Sequence, residues 1–391
     1  MVRRPARREL LGAALALLAS RRAGAAAPAG TPRPAPAPAA EPPPAREPGA
    51  VRPGAPLAFP RDFGSHPQQA IEWWYITAAL DVPGSAEPYG GQITFFRSRT
   101  GLAADSPSRF AARQLLFAHA AITDPLARRL RHDQRIARAG FGIAEASTAD
   151  TQVRLRDWSL ARLPDASAPA GHRYRAVVEA NAAAGFGYEL DFVATQPVLR
   201  QGDGGYSRKG PQPDQASLYL SEPQLAVRGS LRIEGRTLTV TGRAWLDHEW
   251  SDALLAPDAV GWDWIGMNLD DGGALTAFRL RRADGSALWA GGSFRSARGE
   301  LRNFGADEVG FEPGRRWRSA ATQAVYPVEW RVDTPAGRFE VKARLDAQEL
   351  DGSGSTGSVY WEGLSDLLDA RGARVGRGYL EMTGYANRLR F

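Results

Sequence analysis

The chain has 391 residues, enough for one large or two medium domains, and no cysteine, which excludes a disulfide framework, a thiolate nucleophile and thiolate-bound zinc. Its formal charge of +6 is confined to residues 1–56, where nine arginines face three glutamates. The remaining body carries as many acids as bases, so no general field draws it toward phosphate backbones, and nucleic acid is not an expected partner.

The N-terminus runs from basic residues through the apolar stretch Leu10–Ala19 to small residues at Ala23–Ala27. This is the pattern of an export signal over residues 1–27, and Arg7-Arg8 gives it a twin-arginine character. It implies a periplasmic or secreted protein. The apolar run is too short to span a bilayer comfortably. Residues 28–56, rich in proline and alanine, read as an extended linker.

From Leu57 onward the grammar is that of short strands. Ile71–Thr77 and Gln92–Arg97 are aromatic and β-branched, and Arg173–Ala180, Tyr188–Val193, Leu238–Trp250, Trp262–Leu269, Leu275–Arg281 and Glu329–Leu345 follow suit between turn residues. Long helical periodicity is absent. The fold class expected is all-β, with antiparallel barrels or sandwiches. The clearest break, Pro223–Gly229, divides the body into domains 57–228 and 229–391.

The strand Trp245-Leu246-Asp247-His248-Glu249-Trp250 holds the densest chemistry. At period two, Trp245, Asp247 and Glu249 face one side while Leu246, His248 and Trp250 face the other. In Gly261-Trp262-Asp263-Trp264 the two tryptophans share a face and Asp263 points away. Pairing of these strands would gather aromatics and carboxylates into a pocket wall suited to an extended apolar ligand. The same coupling of an acid to aromatics recurs in Glu72-Trp73-Trp74-Tyr75 and in Tyr360-Trp361-Glu362. Lys209, one of two lysines, lies on a segment with Tyr219 and could be a charged cavity residue, but a solvated loop position is the expected one. Buried tryptophans are more often plain core, and carboxylates beside them often only satisfy an indole N–H. The five histidines are scattered, and no pair has metal-ligand spacing, so no metal and no cofactor are expected. Nucleophile-elbow, P-loop and dinucleotide motifs are absent.

His66-Pro67, Glu72-Trp73-Trp74-Tyr75, Phe95-Phe96-Arg97, Phe117-Ala118-His119-Ala120, Tyr206-Ser207-Arg208-Lys209-Gly210, Trp245–Trp250, Gly261-Trp262-Asp263-Trp264 and Tyr360-Trp361-Glu362-Gly363 together resemble the AttH-like/carotenoid 1,2-hydratase superfamily. The resemblance runs in order from about Leu57 to Phe391. It implies two consecutive lipocalin-like β domains and a ligand cavity near their junction. For the hydratases it implies cofactor-free addition of water to the terminal double bond of an acyclic carotenoid, with an acid protonating the alkene and aromatic faces steadying the cation. It assigns catalytic roles to His248 and Trp250, and makes His119 a residue of the ligand-binding set. A tyrosine and an aspartate that complete the hydratase pattern should fall near Ala277–Leu280, where this chain has neither; Asp247 or Asp263 would have to substitute. The expected apolar partner is an isoprenoid or lipid. The rival reading is a non-catalytic lipid carrier or envelope assembly factor beside a membrane transporter, and a third is a carbohydrate-binding β module.

Overall fold

The computed structural model describes residues 51–101 and 105–389. The expected export signal 1–27 lies outside the described residues, as does most of the linker 28–56. Two large antiparallel sheets, of thirteen and ten strands, make up nearly the whole body, one of them nearly barrel-shaped. The only helical turns among the described residues are two three-residue 3₁₀ turns, at Arg61–Phe63 and Ala306–Glu308.

Nine strands frame the seam between the sheets. In the first sheet these are β1 (Ile71–Asp81), β2 (Tyr89–Arg99), β3 (Gln114–Asp124), β4 (Ala216–Ile233) and β5 (Arg236–Ser251). In the second they are β6 (Gly261–Leu269), β7 (Ala274–Arg281), β8 (Ser358–Leu368) and β9 (Arg374–Met382). Each sheet closes its first strand against its last: β1 pairs with β5, and β6 pairs with β9.

The seam strands are apolar on both faces because both are covered. On β1, Trp74, Ile76, Ala78 and Leu80 enter the core of the first sheet, while Tyr75 joins a second cluster with Trp245, Trp264, Phe278, Leu364 and Tyr379. On β6 and β9, Ile265, Met267, Leu380 and Met382 enter the core of the second sheet. A peripheral strand such as His172–Glu179, with one face in solvent, alternates buried and open positions instead.

The sheets change over in residues 252–260, so the division expected at 228/229 is corrected. That point lies inside β4, whose turn-like residues are a bulge. Glu222 pairs with Leu246 but Leu225 pairs with Ala244, which leaves one extra residue at Pro223-Gln224. Proline and a residue with φ +60 at Gln224 are tolerated there because the ladder is interrupted anyway.

Candidate functional site

A pocket partly open to solvent lies in the seam. Its first-sheet wall comes from Trp73 and Tyr75 on β1, Thr94 and Phe96 on β2, Ser217 and Tyr219 on β4, and Asp247, Glu249 and Ser251 on β5. Its second-sheet wall comes from Trp262 and Trp264 on β6, Phe278 and Leu280 on β7, Tyr360 and Glu362 on β8, and Glu381 on β9. Lys209 and residues Ala253–Leu255 of the changeover loop complete it. Strand alternation thus turns one to three side chains from each of eight strands among β1–β9 onto one cavity.

Four carboxyl groups face this aromatic enclosure, and their surroundings differ. Asp247 accepts hydrogen bonds from Trp245 Nε1 at 2.7 Å, Ser221 Oγ at 2.6 Å and the Tyr219 hydroxyl at 2.7 Å. Burial outweighs these three donors and pushes its pKa up to about 7. Glu249 forms an ion pair with Lys209 Nζ at 3.0 Å, and that ammonium lies over the rings of Tyr219 and Phe278 at 4.5 and 4.2 Å. Glu362 and Glu381 sit directly opposite each other on β8 and β9. Glu381 opens partly onto the cavity and accepts from Trp262 Nε1 at 3.1 Å. Burial, reinforced by the charges of Asp247 and Glu249, lifts it to about 7. Burial and the facing Glu381 push Glu362 well above the usual carboxylate range. The hydroxyls of Tyr75 and Tyr360 approach Glu362 and favour its charged form, although Glu362 Oε1 and the Tyr75 hydroxyl fall short of full hydrogen-bond geometry.

The expected alternation on β5 holds, and it splits the proposed catalytic set. His248 and Trp250 face away from the pocket, into a closed cluster beneath the Arg61–Phe63 turn. There His248 Nε2 and His66 Nδ1 contact the same oxygen, Glu72 Oε1, at 2.9 and 2.7 Å. Glu72 Oε2 accepts from Arg97 Nε and from the His66 backbone N–H, each at 2.8 Å. Burial alone would raise Glu72, but the hydrogen bonds of His248 and His66 hold it below the ordinary range. Trp250 stacks on His66 at 3.8 Å and Trp74 on His248 at 4.8 Å. Hence Glu72, Trp74, His248 and Trp250 are corrected out of the ligand pocket, although Trp73 remains in it.

Three further expectations are corrected. Asp263 faces the second sheet's interior, bound by Arg279 Nε at 2.7 Å and the Tyr385 hydroxyl at 2.9 Å, and cannot act in the pocket. Trp361 donates to the Asp346 carbonyl within that same core. His119 lies behind Tyr360, whose hydroxyl it meets at 2.7 Å, and burial lowers its pKa to about 3. Trp245 lies deeper in the seam, where it holds Asp247. Of the expected residues, the pocket gathers Trp73, Lys209, Tyr219, Asp247, Glu249, Trp262, Trp264, Tyr360 and Glu362. Sequence reasoning missed Phe278, and it singled out the acid-and-aromatic runs Glu72–Tyr75 and Gly378–Tyr385 without naming Tyr75 or Glu381 as site residues. Tyr75 was accessible by alternation from Trp73, whereas Glu381 is identified only by its pairing with Glu362. The tyrosine and acid not found near Ala277–Leu280 have counterparts in type, which reach the pocket from β1, β8 and β9.

Ligand spacing along the chain offered no metal set, yet the fold brings His66, Glu72 and His248 together with one ligand atom each inside 4.8 Å. They come from a loop, β1 and β5, which no local motif links.

The AttH-like family model matches residues 50–385. A crystal structure of an AttH-like protein from Nitrosomonas europaea is 47% identical and covers 86% of this chain and 99% of its own, with a TM-score of 0.78. Kievitone hydratase from Nectria haematococca shares the fold at 14% identity, with a TM-score of 0.65 over 86% of this chain and 98% of that one. No curated protein matches the chain.

Proposed function

The chain belongs to the AttH-like family, and from that premise we propose that its seam pocket binds an apolar, unsaturated isoprenoid- or lipid-like ligand and adds water to one of its double bonds. The observation that carries this reading is Glu362, a buried carboxyl among aromatic walls, approached by the Tyr75 and Tyr360 hydroxyls and facing a second carboxyl directly across the ladder. Two like charges at that spacing disfavour double ionisation, so the pair retains a proton near neutrality.

Glu362 delivers that proton to one alkene carbon, and the electron pair of the double bond forms the new C–H bond. The faces of Trp73, Tyr75 and Trp264 stabilise the resulting carbocation, and the pocket limits competing solvent. Water bonds to the cationic carbon and releases its proton to Glu381. The pair again holds one proton, which returns across the ladder to Glu362. The sum is alkene plus water giving alcohol, with no cofactor consumed. The targeting pattern in residues 1–27 supports action outside the cytoplasm.

The test is conversion of an acyclic polyene such as lycopene by the purified protein. Glu362→Gln should reduce turnover by about 10²-fold or more while leaving polyene binding, read by tryptophan quenching, in place. His248→Ala should retain the pocket chemistry in whatever fraction stays folded. Binding without conversion, together with an unaltered Glu362→Gln protein, replaces the enzyme reading with that of a carrier.

A further inference from the structure

Each of four sequence motifs sends one polar side chain into a single place on the far face of the β1–β5 wall from the pocket: His66, Glu72, Arg97 and His248. We propose that this cluster is a binding site for one divalent first-row transition ion, held by His66 Nδ1, Glu72 Oε1 and His248 Nε2. The inference is independent of the reading of the pocket.

Geometry supports it first. Both imidazole nitrogens approach the same carboxylate oxygen, at 2.7 and 2.9 Å. The three ligand atoms lie within 4.8 Å of one another, so an ion at about 2.1 Å from each is reached by turning the two imidazoles onto it. Two imidazoles and one carboxylate on one side of the ion are the donor set of facially bound Mn²⁺, Fe²⁺ and Zn²⁺.

The outer partners are also those of a metal centre. His66 directs its other nitrogen, Nε2, at Asp62 Oδ1, 3.2 Å away, the carboxylate–histidine arrangement that fixes a ligand's tautomer and raises its basicity. Asp62 is itself held by the Ala58 backbone N–H at 2.6 Å. Arg97 occupies only the distal oxygen of Glu72, while Oε1 faces the two imidazoles and also accepts from the His66 backbone N–H at 3.1 Å. His248 Nε2 donates to the Glu72 carboxylate and its Nδ1 is buried with no hydrogen-bond partner, so an ion would take the place of the Nε2 proton, which moves to the vacant Nδ1. Trp74 and Trp250 cover the rings and make the site a closed, structural one. Such an ion would tie the loop carrying His66 to the two strands that close the first sheet.

Elemental analysis of the full chain as purified, then after EDTA dialysis and reloading with ZnCl₂ or MnCl₂, tests the proposal. We expect about one ion per chain and a rise in melting temperature on reloading. Co²⁺ loading should give visible d–d absorption. His66→Gln and His248→Gln should lose the ion, and Asp62→Asn should bind roughly tenfold more weakly, whereas His132→Gln should bind normally. Absence of a retained ion together with no stabilisation of the wild-type chain by either salt overturns the proposal, whatever the variants do. An equal loss in His132→Gln overturns it too.

Discussion

Gly266 offers the most direct test of how the pocket is built. A Cβ at this position would lie 2.3 Å from Trp264 Cη2, 2.6 Å from Cζ2 and 3.2 Å from Trp245 Cδ2. Carbon atoms in contact need about 3.5 Å, so Gly266→Ala obliges the Trp264 ring to move by more than about 1 Å. That movement breaks the hydrogen bond from Trp264 Nε1 to the Tyr219 hydroxyl, which at 2.7 Å is one of the three donors to Asp247. Overpacking of a core costs about 1–3 kcal/mol, and a lost neutral hydrogen bond about 1 kcal/mol. The expected destabilisation is therefore about 2–4 kcal/mol, roughly 3–6 °C in melting temperature for a body of this size. Scanning calorimetry measures the first quantity, and tryptophan quenching by a polyene measures the accompanying loss of affinity. An alanine variant that melts and binds like the wild type would show that Trp264 does not set the pocket's inner wall, and the reasoning would fail.

Other expectations follow from the charged groups. Glu381 has its folded pKa raised to about 7, so its carboxyl favours the folded state at low pH. That contribution is full below pH 4.5 and is lost as pH rises through 7; Glu381→Gln should lack the loss, on the order of 2 kcal/mol across this window, and parallel urea titrations at pH 4.5 and 8 that differ equally would refute it. Asp263→Asn leaves Arg279 and Arg281 buried beside a neutral amide and should destabilise by about 3–5 kcal/mol without altering ligand affinity, as denaturant melts and quenching together would reveal. Glu72→Gln removes the buried partner of Arg97 and should cost a similar amount, with insoluble or readily proteolysed protein as the sign; a fully stable variant would contradict the ion pair.

Strand content was legible because the seam strands are built from aromatic and β-branched residues, and their alternation was legible wherever it was applied. On β5 it correctly opposed Asp247 and Glu249 to His248 and Trp250. Applied equally to Glu72-Trp73-Trp74-Tyr75 and Tyr360-Trp361-Glu362, it would have separated Trp73 and Tyr75 from Glu72 and Trp74, and Trp361 from its neighbours. Period two cannot say which face of a strand meets another sheet, nor which strand lies beside it. For that reason the pairing of Glu362 with Glu381, and the meeting of His66 with His248, were invisible. The break at Pro223-Gln224 was misread for a related reason, since a bulge in a long strand and a linker use the same residues.

Because each sheet is fastened by its first and last strands, the pocket is also a record of completed folding. Trp73 and Glu249 share a wall only after a chain loop of more than 160 residues has closed, as their direct pairing requires. Such closure is slow and comes late. A partly folded chain has no pocket to offer, so ligand capture would reward only finished molecules and pull the last step of assembly forward by mass action.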